Sequence, residues 1–126
     1  MPAYDGVLFS PPAPLANVTL RHPTSGNTVS GVKMLIDSGA DVTLLPANCI
    51  EQLGEIGHAN GDVYELMAFD GTKSMAPAVS MELLFLGKTF RGRFLVVDQH
   101  WGVLGRNIVN NLRLLFDGPR LAWHET

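Results

Sequence analysis

The chain has 126 residues, with nine Lys or Arg against twelve Asp or Glu, so its formal net charge is −3 at pH 7. This length suits one domain with a buried core, and we expect residues 1–126 to form a single domain whose residues 1–17 are an N-terminal strand and a proline-rich connector. The acidic balance excludes the basic surface that nucleic-acid binding needs, and a single cysteine excludes a disulfide within the chain.

No segment is apolar over the length that a membrane-spanning helix needs, and residues 1–5 have neither the basic nor the apolar region of a signal peptide. We therefore expect a cytoplasmic protein without a membrane partner. The four histidines are scattered without the spacing of zinc ligands, so no metal and no cofactor is expected. Nothing around Cys49 supports a nucleophile, and we expect a small buried hydrophobe there.

Short segments rich in Val, Leu, Phe and Thr alternate with turn residues along the chain, which predicts a mostly β protein. A proline-rich connector at Ser10–Leu15 follows the first strand and is not expected to pair well in a sheet. In chain order, the predicted strands are Tyr4–Phe9, Val18–Arg21, Val29–Ile36, Val42–Leu45, Val63–Phe69, Met75–Leu86, Phe90–Val97, Val103–Leu104, Leu112–Phe116 and Arg120–His124.

Two short helices are predicted between these strands. Pro46 is expected to open a helical turn that runs through Leu53 and stops at Gly54. The second helix is predicted at Arg106–Leu112. The turn Asp70–Lys73 lies between two long strands and predicts the tip of a hairpin.

Asp37 stands at the end of an apolar run, Met34–Ile36, and is followed by the hydroxyl of Ser38 and by Gly39. Burial of a carboxylate costs roughly several kcal/mol unless the group is hydrogen-bonded or paired, so this position favours an acid used in chemistry. A second apolar strand, later in the chain, ends in the turn Leu104–Asn107. Neither motif is specific alone, but the two in this order, with strands between them, are a specific combination.

Together, the two motifs resemble those of the retropepsin-like aspartic proteases, and the resemblance extends over residues 18–116. Ile36–Asp41 matches the catalytic loop of that family, with Ser38 where viral members usually carry Thr, and Leu104–Asn107 matches the turn into its single helix. The resemblance implies a mostly β, single-lobe retropepsin-like acid protease fold, closed like a barrel, with one short C-terminal helix. It also implies a homodimer, because one lobe carries only one Asp-Ser-Gly.

The activity that the resemblance implies is that of an aspartic endopeptidase, which hydrolyses peptide bonds of a peptide or protein substrate. Asp37 from each of two subunits would form a carboxylate pair that shares one proton and activates a water molecule. Ser38 would form a hydrogen bond across the two-fold axis, and Gly39 would let the substrate backbone approach closely. Asp37, Ser38 and Gly39 are therefore the catalytic residues implied.

Substrate would bind between the catalytic loop and the hairpin tip, which would act as a flap that closes over it. The substrate-binding residues implied are Ala40, Asp41, Phe69, Asp70, Gly71 and Thr72. Structural support would come from the turn residues Leu104, Gly105, Arg106 and Asn107, with an ion pair between Asp41 and Arg106.

The C-terminal strands are predicted to form a hairpin around Asp117–Pro119. Since edge strands seldom stay exposed, we expect this hairpin, with residues 7–9, to supply the dimer sheet. Trp101 and Trp123 are expected to pack in the core or in an interface. The apolar residues that alternate along the hairpin are Leu114, Phe116, Leu121 and Trp123.

Two alternatives remain open at the level of sequence. The first is a catalytically quiescent retropepsin-like module for dimerisation or peptide binding, which a flap tip poor in glycine and additional residues at both ends favour. The intact Asp37, Ser38 and Gly39 favour the enzyme. In the second alternative, a strand-rich domain of another kind, Asp37 would only begin an Asx turn after a strand.

Overall fold

The computed structural model describes residues 2–54, 63–67 and 71–126. These residues form ten strands and two short α-helices, so the prediction of a mostly β protein is confirmed. In chain order the elements are β1 (Tyr4–Asp5), β2 (Ala13–Arg21), β3 (Thr28–Ile36), β4 (Leu44–Pro46), α1 (Ala47–Gln52), β5 (Val63–Met67), β6 (Lys73–Phe85), β7 (Lys88–Val97), β8 (Gly102–Leu104), α2 (Arg106–Val109), β9 (Leu114–Asp117), a 3-10 turn (Gly118–Arg120) and β10 (Ala122–Glu125).

Eight of these strands pair in the order β1-β2-β3-β8-β4-β7-β6-β5, and β6 pairs in addition with β2. β8 runs parallel to β3, and β4 runs parallel to β7, whereas the long neighbours β2 and β3, and β6 and β7, are antiparallel. β9 and β10 form a separate antiparallel pair. β3 and β8 are distant in the chain, but their parallel pairing places their C-terminal ends side by side, with Ile36 opposite Leu104. Asp37 directly follows β3 at this end of the sheet.

The core is built from strand residues that alternate between the inside and the outside of the sheet. On β3, Val32, Met34 and Ile36 are buried, and Lys33 between them is exposed. Strands β2, β3, β4, β6, β7, β8 and β10 each contribute at least one side chain to this core. The largest fully buried side chains are Trp123, Leu20, Met34, Leu45, Met81, Leu83, Leu104, Ile108, Val18, Val32, Val79 and Thr43.

The first strand is shorter than predicted, and β2 begins earlier. The carboxylate of Asp5 accepts hydrogen bonds from the backbone N–H groups of Val7, at 2.8 Å, and Leu8, at 2.7 Å, which turns the chain away from the sheet. The predicted connector is wrong in its second half, because β2 starts at Ala13 and Pro14 lies opposite Tyr4. Pro14 is tolerated there near the end of the sheet order.

Both helices also differ from the predicted ranges. α1 starts after Pro46, which keeps an extended backbone at the N-cap, and the chain leaves the helix at Leu53. α2 stops at Val109 instead of Leu112, because Asn111 and Leu112 donate backbone hydrogen bonds to the third residue back, which tightens the chain into a turn. In the described residues the α-helices have six and four residues, against about twenty that a helix needs to cross a bilayer.

A carboxylate on β6 joins three strands. Glu82 accepts from Nε of Arg21 on β2 at 2.7 Å, and its second oxygen lies 2.6 Å from Nε of Arg91 on β7. The hydrogen bond from Arg21 holds the pKa of Glu82 below its ordinary value, and the charges of both arginines act in the same direction against the opposing effect of burial. No sequence motif indicates this cluster, because Arg21, Glu82 and Arg91 are brought together only by the pairing of their strands.

The C-terminal hairpin packs against its own chain along one edge. The indole of Trp123 is buried, and its N–H donates to the carbonyl of Leu15 at 3.2 Å. Ala3 bridges to Ala122, and the backbone N–H of Trp123 donates to the carbonyl of Pro2 at 3.0 Å. Three apolar side chains of this region, at Leu115, Phe116 and Leu121, remain 42%, 45% and 46% exposed.

Candidate active site

Asp37 leaves the sheet at the end of β3, where the chain turns sharply. Its backbone N–H donates to the carbonyl of Leu104 at 3.1 Å, which attaches the start of the turn to the last residue of β8. One oxygen of the carboxylate, Oδ1, accepts from the backbone N–H of Gly39 at 2.8 Å, and the N–H of Ala40 donates to the carbonyl of Asp37 at 3.2 Å. This is the hydrogen-bond pattern of an Asx turn.

The Asx turn alone does not separate an enzyme from an ordinary turn, but it fixes where the carboxylate points. Asp37 is half-buried, and Ser38 and Gly39 beside it are exposed. With Oδ1 held by the N–H of Gly39, the second oxygen of Asp37 has no hydrogen-bond partner among the described residues. The carboxylate is therefore oriented and keeps one oxygen available to a water molecule or to another group.

The turn after β8 holds this loop from the other side. The N–H of Arg106 donates to the carbonyl of Ala40 at 2.8 Å. A Cβ at Gly105 would fall on the backbone carbonyl of Val42, so only glycine allows the two chain segments to approach this closely. The residue type at Gly105 is thus set by the contact that supports the Asp37 loop.

Thr43, which is not among the predicted site residues, connects the two segments through its side chain. Its hydroxyl accepts from the backbone N–H of Gly105 at 3.0 Å and donates to Oδ1 of Asn107 at 2.6 Å. Thr43 is 1% exposed. The sequence feature that indicates this role is a hydroxyl inside the apolar run Val42–Leu45, because a hydroxyl that is buried there needs hydrogen-bond partners.

The predicted ion pair between Asp41 and Arg106 is not formed in this chain. The guanidinium of Arg106 donates instead from Nη1 to the backbone carbonyl of Ser38 at 3.1 Å. Both Asp41 and Arg106 are exposed, so neither charge needs a partner to avoid desolvation. Arg106 still contacts the candidate catalytic loop, but it does so through a carbonyl.

The predicted flap is described only in part. Phe69 and Asp70 lie outside the described residues. Gly71 has a φ of +86°, a backbone conformation that glycine adopts without strain, and Gly71 and Thr72 are exposed. The described strands on either side, β5 and β6, are antiparallel, with Met67 opposite Lys73.

A cleft of about 610 Å³ lies elsewhere on the molecule, between the β2–β3 turn and the middle of β6 and β7. The Glu82 cluster contributes three of its lining residues, and none of the predicted site residues lines it. Cys49 is also separate from the Asp37 turn: it lies in α1, is buried, and burial raises the pKa of its thiol. A raised pKa lowers the thiolate fraction, which suits a packing residue.

Comparison with known proteins identifies a similar fold. The chain is similar to the EIAV protease complexed with the inhibitor HBY-793, with a TM-score of 0.58 and 20% sequence identity; the match covers 79% of this chain and 86% of that chain. No protein-family model and no curated protein matches the chain. At this identity the similarity shows the fold alone, and the fold resembles that of a retroviral protease.

Proposed function

We propose that this protein is a homodimeric aspartic endopeptidase, with Asp37 of each subunit as the catalytic carboxylate. The observation that carries the proposal is the Asp37 turn: the carboxylate is oriented by the N–H of Gly39, and its loop is attached to Leu104 and Arg106, in a fold that resembles a retroviral protease. The pairing of β2 with both β3 and β6 supports a closed, barrel-like sheet behind this turn.

The chemistry needs two carboxylates close together. Amide hydrolysis by this route requires one group that deprotonates water and a second, protonated group that donates a hydrogen bond to the scissile carbonyl. Two Asp37 side chains at hydrogen-bond distance cannot both ionise, so the pair would share one proton and supply both roles. One chain supplies a single Asp37, and the second has to come from another copy.

Other features of the chain support a dimer with this site at its axis. Ser38 is exposed beside Asp37, where its hydroxyl would be available to a partner subunit. The C-terminal hairpin exposes Leu115 and Phe116 on a short strand, β9, that pairs with β10. We propose that this hairpin supplies part of the dimer sheet, and that the turn carrying Gly71 and Thr72 closes over an extended peptide.

Cleavage of a peptide library, followed by mass spectrometry, tests the proposed activity. We expect cleavage by the wild-type protein and none by Asp37→Asn, whose neutral amide cannot accept the proton from water. The activity should show a bell-shaped dependence on pH, because one Asp37 of the pair has to be ionised and the other protonated. Cleavage that persists in Asp37→Asn would exclude this site as the source of the activity.

Dilution separates the endopeptidase from the quiescent module. For the enzyme, specific activity should fall as the protein is diluted through the dimer dissociation constant, because each monomer carries half of the site. A retropepsin-like module for dimerisation or peptide binding would show the same dimer in sedimentation experiments and bind peptides without cleaving them. A fully active monomer would contradict the shared site.

A further inference from the structure

The cleft beside the Glu82 cluster is positively charged, although the chain as a whole is acidic. Three of the nine Lys and Arg residues of the chain line this cleft, at Arg21, Arg91 and Arg93, and the one acid in its lining is Glu82. We call it the arginine cleft. With His22 uncharged, its lining carries a net charge of +2, against −3 for the whole chain. An acidic ligand would therefore be attracted to this cleft more than to the rest of the molecule.

Strand pairing sets the positions of the three guanidinium groups. Arg21 of β2 and Arg91 of β7 both lie opposite Glu82, on the strand between them. Arg93 lies opposite Ser80, and both are exposed. Residues two apart on a strand point to the same side of a sheet, about 6.5 to 7 Å from each other. The arginines therefore form two neighbouring rows on one side of the sheet, the first at Glu82 and the second at Ser80.

Glu82 positions two of these groups and takes few of their donors. One carboxylate oxygen accepts from Nε of Arg21 at 2.7 Å, and the other lies 2.6 Å from Nε of Arg91. A guanidinium has five N–H donors in one plane. The terminal Nη groups of Arg21 and Arg91 have no hydrogen-bond partner among the described residues. Each arginine is thus held by Glu82 and keeps donors in the geometry that fits a second carboxylate.

The β2–β3 turn forms one side of the cleft, and its backbone donors are already used. Nδ1 of His22 accepts from the backbone N–H groups of Thr24 and Ser25, both at 3.1 Å. The N–H of Gly26 donates to the carbonyl of His22 at 3.0 Å. Phosphate sites in proteins commonly use several backbone N–H groups that point at the ligand. Because this turn does not supply them, the cleft favours carboxylates, which arginine side chains bind on their own.

The arginine cleft lies at the opposite end of β3 from the candidate active site. Arg21 lies opposite Thr28, the first residue of β3, whereas Asp37 follows the last residue, Ile36. The extended chain from Thr28 to Asp37 spans roughly 25 to 30 Å. A pentapeptide, about 17 Å long when extended, would therefore occupy the cleft without reaching Asp37 of the same chain.

We propose that the arginine cleft binds an acidic peptide segment in extended conformation, with carboxylates two positions apart on the two rows of arginines. Alternate side chains of an extended peptide lie on one side with the same spacing as these rows. The first carboxylate would accept from the Nη groups of Arg21 and Arg91, and the second would lie beside Arg93 and the hydroxyl of Ser80. This binding site goes beyond the endopeptidase activity, because it uses neither Asp37 nor the flap.

Peptide binding to the Asp37→Asn variant tests the cleft without the proposed catalytic carboxylate. The probe is a fluorescently labelled pentapeptide with blocked ends, in which glutamate occupies the second and fourth positions and serine the others. The control peptide carries glutamine in place of both glutamates. Fluorescence anisotropy measures affinity, and nitrogen-15 NMR locates the peptide. We expect only the glutamate peptide to bind, and to shift the backbone signal of Gly92, which lines the cleft, while that of Gly39 stays in place.

A matched pair of arginine substitutions then tests the position of the site. Arg91→Gln and Arg120→Gln each remove one charge from a side chain that is 79% exposed, but Arg120 does not line the cleft. Arg91→Gln should weaken binding of the glutamate peptide about fivefold, and Arg120→Gln should leave it within about twofold. Arg93→Gln, which leaves both contacts of Glu82 intact, should also weaken binding. Thermal unfolding of each variant separates these changes from loss of fold.

Four results would overturn the proposal. Equal weakening by Arg91→Gln and Arg120→Gln would show attraction by overall charge, without a site in the cleft. A shift of the Gly39 signal without one at Gly92 would place the peptide at the Asp37 turn. Displacement of the peptide by inorganic phosphate at an equal or lower concentration would make the cleft a site for small oxyanions. A lack of binding by the glutamate peptide would also overturn it. None of these results depends on cleavage, so this proposal and the endopeptidase proposal can fail separately.

Discussion

The turn around Asp37 and the C-terminal hairpin differ in how far contacts within one chain pair their polar groups and cover their apolar side chains. Around Asp37, hydrogen bonds within one chain link the loop to β8 and to the turn at Gly105, and the buried hydroxyl of Thr43 has partners. In the hairpin, Trp123 is buried, but Leu115 and Phe116 are nearly half exposed. A single chain thus completes the scaffold of the carboxylate and leaves apolar surface on the hairpin.

This difference indicates which part of the proposed site depends on a second copy. The position of each carboxylate would be set before association, by backbone contacts and glycine. Association would bring two such positioned groups together and cover the hairpin, so assembly would control activity without having to build the turn. Substitutions around Asp37 should therefore lower the stability of the monomer, whereas substitutions in the hairpin should weaken association.

The largest effect on stability is expected at Gly105. A Cβ there would overlap the backbone carbonyl of Val42, which has no flexible end that could move aside. Gly105→Ala should cost about 3 kcal/mol of unfolding free energy or more, or prevent folding. The matched control is Gly118→Ala in the hairpin, where a Cβ would meet nothing within 4 Å and little change is expected. Urea unfolding measures both, and equal stability of the two variants would contradict the close approach.

Thr43→Val should give the next largest loss. It removes a hydroxyl that joins Gly105 to Asn107 and leaves the N–H of Gly105 without this partner. Because that N–H is buried, we expect about 2 to 3 kcal/mol of destabilisation. Thr19→Val is the control, since its hydroxyl makes only a 3.4 Å contact with the exposed Ser30. If the two substitutions cost the same in urea unfolding, the hydroxyl bridge has no special role.

The parts that sequence predicted are those set by local pattern or by a short motif. Strand-forming residues between turn signals predicted β3 to within one residue and the second half of β2, and the two motifs contain Asp37 and Gly105, which lie in neighbouring turns. Asp5 shows how a local pattern misleads: the apolar residues after it suggested a strand, but its carboxylate bonds to two backbone N–H groups and turns the chain.

The parts that sequence did not predict depend on partners that are distant in the chain. Thr43 reaches Asn107 across 64 positions, and Arg21 reaches Glu82 across 61. Arg106 shows a further reason. The motif predicted an ion pair with Asp41, but the hydrogen bond of Arg106 goes to a backbone carbonyl, a group that every residue carries and that residue types therefore do not reveal. The partners of specific polar contacts therefore cannot be predicted from the sequence, even at a residue that belongs to a recognised motif.

A charge at Phe116 should act on association and not on the turn. Phe116 is 45% exposed, so Phe116→Glu is expected to leave the monomer folded. If the hairpin forms the dimer sheet, burying this charge should cost about 2 kcal/mol of association energy, a roughly thirtyfold rise in dimer Kd. Sedimentation equilibrium measures it, with Thr24→Glu in the exposed β2–β3 turn as the control. An unchanged Kd for Phe116→Glu would place the interface elsewhere.

Removal of the Arg106 side chain should have a smaller effect. Arg106→Ala loses one hydrogen bond to the carbonyl of Ser38 and should cost about 1 kcal/mol of unfolding free energy. Asp41→Asn should cost less, because the two charges do not pair within the chain. A double-mutant cycle in urea should give a coupling energy near zero. A coupling of about 1 kcal/mol or more would restore the ion pair that the motif suggested.

The smallest effect is expected from protonation of Glu82, and it should depend on pH. The hydrogen bond from Arg21 and the charges of Arg21 and Arg91 lower the pKa of Glu82 in the folded protein below its ordinary value of 4.5. An acid with a lowered folded-state pKa contributes stability that is fully present above the unfolded-state pKa and is lost as the pH falls through the folded-state pKa. The contribution is limited because Arg91 is 79% exposed, where water screens the charges.

Glu82→Gln isolates this contribution. We expect the variant to be less stable than wild type at pH 7. The difference should begin to shrink as the pH falls below the ordinary pKa of Glu82, because the unfolded chain then takes up the proton first, and it should vanish once Glu82 is protonated in the folded protein as well. Thermal unfolding across this range measures it. Glu125→Gln is the matched control, because its pair with Lys88 is longer, at 3.4 Å, and more exposed. A gap between wild type and Glu82→Gln that stays constant from pH 7 to pH 3 would show that packing, and not charge, accounts for the role of Glu82.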